Sequence, residues 1–150
     1  MTTHTPQPAM AATDKTVSHI LGEICWLMSQ SPVHKQMFLG DLEWFAMPAI
    51  LLEQFRTFNG PQHPVGVAFW AMVSEETENR LLEGANKIRP DEWKNGDRPW
   101  LIELLAPFGG QDEMLQDLGK HIFPNKSFKF HFVNPEGKRD VKEFTDHIVN

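Results

Sequence analysis

Two side chains in this sequence stand where their types call for chemistry. His34 closes the run Ser31-Pro32-Val33-His34, and Glu103 is the one carboxylate inside the apolar run Trp100–Leu105. A carboxylate in such a run loses water and needs a compensating partner. A histidine is one such partner: the acid orients the ring and stabilises its charged form, and the ring moves a proton. The residues alone leave two readings open, a His–Glu dyad or an acid at a splayed strand end beside a structurally bonded histidine. A glycine loop, Pro107-Phe108-Gly109-Gly110, follows the acid. Ahead of a helix, the Gly109 and Gly110 N–H groups would be available to an oxyanion or a phosphate. The loop matches neither a phosphate-binding P-loop nor a dinucleotide fingerprint, and there is no GxSxG elbow. The histidines form no HxxxH or HExxH pair, and Cys25 is the single cysteine, so no metal cluster and no disulfide framework is expected.

The elements that must position these groups follow from periodicity. Val17, Ile20, Leu21, Ile24, Leu27 and Met28 recur at helical spacing, with Cys25 and Trp26 widening the stripe. In mid-helix, Cys25 reads as a small packed hydrophobe. Ser31 as N-cap and Pro32 at the first helical position predict a second helix. His34 would then lie in its first turn, where the positive end of the dipole disfavours imidazolium. An edge strand is expected around Ile50–Phe58, then a turn through Asn59-Gly60 and His63, then a strand over Val65–Val73. Ser74 caps a helix that stops at Gly84. Strict alternation in Trp100–Leu105 places Leu101, Glu103 and Leu105 on one face. Met114, Leu115, Leu118, Ile122 and Phe123 form a helical stripe that Pro124 ends. Phe128, Phe130 and Phe132 alternate with Lys129 and His131 in a half-buried strand, with a last element around Val141–Phe144. The order describes an α/β (α+β) domain, an open mixed sheet flanked by helices, over residues 14–150 behind a disordered lead-in at 1–13.

Length and charge narrow the function. One hundred and fifty residues make one domain with a real core. A formal charge of −6 argues against nucleic acid or an anionic membrane as the main partner. Basic residues nevertheless gather between Leu118 and Lys142, where Lys129 and Lys138 lie. No secretory signal and no run long enough for a membrane span is visible, so a cytoplasmic protein is expected.

Four blocks carry a resemblance: ILGEICWLMSQSPVH at 20–34, FAMPAILLEQF at 45–55, PVGVAFWAMVS at 64–74 and DEWKNGDRPWLIELLAPFGG at 91–110. In order and spacing they resemble the RTX toxin-activating lysine acyltransferases from about residue 17 to about residue 133. The resemblance implies a GNAT-like, mostly antiparallel sheet and transfer of a fatty acyl group from acyl–acyl carrier protein to internal lysines of an RTX protoxin. It implies acyl carrier protein as cosubstrate in place of a bound cofactor, and a homodimer. It assigns the catalytic histidine to His34, with Ser31 as the matching serine. The second catalytic residue falls at Glu103, where the family carries aspartate; glutamate keeps the charge and reaches about one methylene farther. Gly109 and Gly110 are then candidate oxyanion donors, and Arg98, Lys129 and Lys138 candidate docking groups for the acidic carrier. Trp70, Trp100 and Phe108 lie near the elements where an acyl groove would run. A non-catalytic module binding carrier protein or protoxin, and a coenzyme A-dependent acetyltransferase, are the rival readings.

Overall fold

The computed structural model describes residues 15–145, so the expected lead-in at 1–13 lies outside the described residues. Helix α1 (Val17–Ser29) opens the fold, its Thr16 side chain capping the His19 N–H. Two short helices follow, α2 (Leu42–Phe45) and α3 (Met47–Leu52). The expected edge strand around Ile50–Phe58 is therefore shorter. Pro48 begins α3 rather than interrupting a strand, and a left-handed Glu53 (φ 59°) turns the chain into β1 (Phe55–Asn59). β2 (Pro64–Val73), α4 (Glu75–Leu82), β3 (Arg98–Leu105), α5 (Gln111–His121), β4 (Ser127–Val133) and β5 (Arg139–Thr145) complete the domain. Ser74 caps α4 as expected, accepting from Thr77 N–H.

The strands form one five-stranded sheet in chain order. Every neighbouring pair is antiparallel except β3–β4, which is parallel because α5 crosses over between them. This mixed, mostly antiparallel sheet with helices on both faces fits the GNAT-like expectation. One face packs against α1–α3 through Ile24, Leu27, Phe45, Phe69 and Trp100; the other, with Trp70, Leu101 and Phe128, packs under α5 through Leu118.

Two irregularities in β3 decide the architecture of the site. β3 and β4 pair only at Trp100–Lys129 and Leu101–Phe130, and beyond that point they part. At the same place β3 carries a bulge: Phe69 pairs with Glu103 but Trp70 pairs with Leu101, leaving Ile102 as the extra residue. Strict alternation thus fails. Ile102 packs with the α1–α3 face, whereas Leu101 and Leu104 join the α5 face. Leu101 does not share a face with Glu103, contrary to the expectation from period two. Without the bulge, Glu103 would point at α5.

Candidate active site

His34 opens a three-residue 3-10 turn, His34–Gln36, in place of the expected helix. There is no extended helix dipole behind it, and the ring is held by its neighbours instead. Ser31, buried at the end of α1, accepts weakly from the His34 N–H (3.4 Å), and its carbonyl accepts from Lys35 N–H (2.9 Å). The Ser31 hydroxyl lies 2.7 Å from His34 Nδ1. On the other side of the ring, Nε2 lies 3.0 Å from Glu103 Oε2. Phe45 packs against the imidazole with ring centroids 5.7 Å apart. Both partners are mostly enclosed, with His34 17% and Glu103 24% exposed at the side chain.

For a neutral imidazole beside an ionised carboxylate, the proton positions follow from the geometry. An ionised carboxylate only accepts, so Nε2 carries the hydrogen toward Glu103 and Nδ1 presents its lone pair to the Ser31 hydroxyl. Ser31, His34 and Glu103 thus stand in the order of a hydroxyl–imidazole–carboxylate relay.

The relay borders a cleft of about 570 Å³ in the gap where β3 and β4 part. Its walls are mainly apolar, with Trp44, Phe45 and Ile88 on the helical side and Leu104, Leu115 and Phe130 on the other. Trp93 also lines it, and its indole N–H is buried without a hydrogen-bond partner among the described residues. A two-sided apolar cleft with a proton relay suits transfer of an aliphatic group.

The family model described as the RTX toxin acyltransferase family (HlyC) matches residues 13–144. This chain belongs to that family. It is 31% identical over 119 residues to the RTX-I toxin-activating lysine-acyltransferase ApxIC of Actinobacillus pleuropneumoniae, covering 79% of this chain and 69% of the relative. It is equally similar, 31% over 117 residues, to the protein-lysine myristoyltransferase HlyC of Escherichia coli, covering 78% of this chain and 68% of the relative. The lysine-acyltransferase RtxC of Vibrio cholerae is 31% identical over 120 residues, 79% of this chain and 78% of that protein.

In this RTX toxin acyltransferase family member, none of the other residues singled out from sequence bonds to the side chains of the relay. Arg98 and Lys129 both bind Glu78, at 2.8 Å to Oε1 and 3.2 Å to Oε2, and the Trp100 indole donates to Oε2 at 2.8 Å. Burial pushes the Glu78 carboxyl up, but the hydrogen bonds from Arg98, Trp100 and Lys129 outweigh it and hold the group below its ordinary value. Lys138 is exposed just before β5. Gly109 and Gly110 adopt positive φ (93° and 88°), and Gly110 is the N-cap of α5; Gly109 N–H is spent on the Ala106 carbonyl (3.1 Å). Asp112 and Glu113 fill the first turn of α5, so the loop meets carboxylates as well as N–H groups.

Trp70 and Trp100 are core residues, and Phe108 leans on Trp26 and His63 (6.0 and 5.6 Å) instead of entering the cleft. The cleft aromatics Trp44, Phe45 and Phe130 were missed as lining. Nothing in a linear apolar pattern separates a wall from a core. Cys25 is packed against the α1–α3 core, and burial pushes its thiol up, away from the thiolate a nucleophile needs. Gly96 lies so close to Val73 that a Cβ there would come within 2.3 Å of the Val73 carbonyl oxygen. That one position in the turn before β3 therefore has no room for a side chain.

Proposed function

We propose that this chain is a protein-lysine acyltransferase that moves a fatty acyl group from acyl–acyl carrier protein to the ε-amino group of internal lysines of an RTX protoxin. The observation that carries the reading is the His34–Glu103 pair at 3.0 Å inside an apolar cleft. Family membership and the activities for which the relatives are named support it.

The chemistry sets the demand. Free lysine has a pKa of about 10.4, so presenting it neutral at pH 7 costs roughly 4–5 kcal/mol unless a base takes its proton. The lysine ammonium first gives up one proton to solvent; the neutral amine nitrogen then attacks the thioester carbonyl, a C–N bond forms, the C–S bond breaks, and the second proton, released from nitrogen, ends on the departing thiolate. In this reading His34 carries that proton between the two. Glu103 holds the ring and stabilises imidazolium. Because Nδ1 faces Ser31, the amine delivers its proton through the Ser31 hydroxyl, which passes its own to the ring. An acyl-imidazole route would need a free ring nitrogen, and both are engaged. Direct transfer is thus the simpler path. Gly110 is the candidate oxyanion donor from the glycine loop.

A homodimer in the cytoplasm, with Lys138 and neighbouring basic groups meeting the acidic carrier, completes the proposal. No described helix is long and apolar enough to cross a membrane.

The deciding experiment incubates the protein with acyl–acyl carrier protein and a lysine-bearing protoxin fragment and reads intact mass. One acyl increment on the fragment is expected, lost in His34→Ala and reduced about tenfold in Ser31→Ala. Binding of the carrier protein or the fragment without a mass shift would give the non-catalytic reading. Transfer of acetyl from coenzyme A alone would give the third.

A further inference from the structure

His34 borders two hollows. Besides the large cleft, a groove of about 180 Å³ lies on the α1 side, and His34 and Met37 line both. Met28 and Leu42 form its buried floor, while Phe38 and Leu39 stand at its edge, 79% and 81% exposed. Large apolar side chains this bare, side by side, are costly in water and mark a surface that something covers.

The two volumes sort the occupants. The large cleft falls within the ordinary range of small-molecule sites, roughly 300–1,000 Å³, whereas the groove is below it. The groove has room for one large apolar side chain and too little for a long aliphatic chain. Acyl transfer brings two substrates to one proton carrier, and the two hollows meet at that carrier. Lys35, exposed at the rim of the groove, adds a positive charge.

We propose that this groove receives the acceptor polypeptide, seating a large apolar side chain next to the target lysine, with Lys35 favouring a carboxylate in the same segment. The assignment rests on the acyltransferase reading above. It adds a location and a local sequence preference for the acceptor, and it leaves the large cleft to the acyl chain.

The test uses the full chain, a long saturated acyl–acyl carrier protein, and a protoxin fragment with one acceptor lysine whose neighbour is set to Leu or to Ser. The enzyme variant carries Phe38→Ser with Leu39→Ser; both side chains are exposed, so the thermal midpoint should hold. The unaltered enzyme is expected to prefer the Leu fragment about tenfold in kcat/KM, the size of effect a small hydrophobic pocket gives. The variant should lose that preference through a higher KM for the fragment, with the KM for the donor unchanged. A preference that survives in the variant, or a rise in donor KM instead, overturns the assignment. So does a variant whose only change is from dimer to monomer in sedimentation, which would give the groove to a second copy. Failure of the unaltered enzyme on every fragment and on whole protoxin would instead defeat the acyltransferase reading, and the groove assignment with it.

Discussion

Each end of β3 meets a carboxylate, and the two ends are built for different purposes. At the start of the strand, Glu78 from α4 is 6% exposed and receives bonds from Arg98, Trp100 and Lys129. Those three groups tie α4, β3 and β4 together at the last point where β3 and β4 still run side by side. Near the far end, Glu103 is 24% exposed and its one hydrogen bond among the described residues goes to His34, across the gap opened by the parting strands. A carboxylate that accepts from three donors is a fastener, since a proton arriving there would break several bonds at once. One that faces a single titratable partner beside an open cleft has capacity left for chemistry. Both acids lie against the same strand, and only their surroundings separate the two roles.

The comparison breaks if both acids turn out to matter for the same property. The largest expected effect is on turnover at the cleft end. His34→Ala should lower kcat/KM by about 10³, within the roughly 10²–10⁴ typical of a positioned general base. At tenfold per 1.36 kcal/mol this is about 4 kcal/mol of transition-state stabilisation. Thermal unfolding of the same variant should shift little, because the ring contributes one face of contact to Phe45. Activity that survives in His34→Ala, or a collapse of the fold, would erase the distinction between the two ends.

The fastener end should show the reverse. Glu78→Gln keeps the shape and removes the charge, and is expected to cost about 2 kcal/mol near pH 7, the scale of a buried hydrogen-bonded charge whose partners remain in place. The pH dependence has a definite sign. The Glu78 carboxyl is held below its ordinary value in the fold, so its stabilisation is complete above that ordinary value and lost as pH falls through the folded one. Denaturant unfolding should therefore show the two proteins converging as the pH drops below about 4.5, near the usual glutamate range. Per-enzyme activity of folded Glu78→Gln should stay within a few-fold. A large kinetic loss with no loss of stability would put Glu78 in the chemistry.

How far these roles could be read from sequence differs between the two acids. Glu103 was legible because a charge in an apolar run needs explaining. Its direction was not, because period two has no symbol for a bulge, and the extra Ile102 decides which face the acid meets. Which histidine met that acid was not legible from the residues, and only the family resemblance singled out His34; the helix inferred from Ser31-Pro32 shrinks to a 3-10 turn, since Ser31 is already tied to the end of α1 through the Met28 carbonyl. Glu78 gave no signal at all. Among Glu75, Glu76 and Glu78 it looks like one more acid in the first turn of a helix, and its partners lie up to 51 residues away. The α3 segment was misread because MPAILL is apolar throughout, and continuous runs do not distinguish a buried helix from a strand. The glycine loop and the β1–β2 hairpin followed from turn residues, which are local signals.

The smallest expected effect sharpens the comparison most. The family resemblance puts aspartate where this chain has Glu103, so Glu103→Asp asks whether the bulge and the longer side chain are matched to each other. With the backbone fixed, aspartate withdraws the carboxylate by about one carbon–carbon bond, and a 3.0 Å contact to His34 Nε2 would open beyond hydrogen-bonding range unless the 3-10 turn follows. That turn is short, and the covalent link from Ser31 through Val33 lets it move as a unit. Partial recovery is therefore expected: a loss of about fivefold in kcat/KM, against a loss of about a hundredfold for Glu103→Gln, which keeps the length and removes the charge. If aspartate is as damaging as glutamine, the reach of the side chain sets the geometry and the bulge has been tuned around it. If glutamine is as active as glutamate, the charge at this end of β3 does nothing for the ring, and the contrast with Glu78 fails where it was drawn.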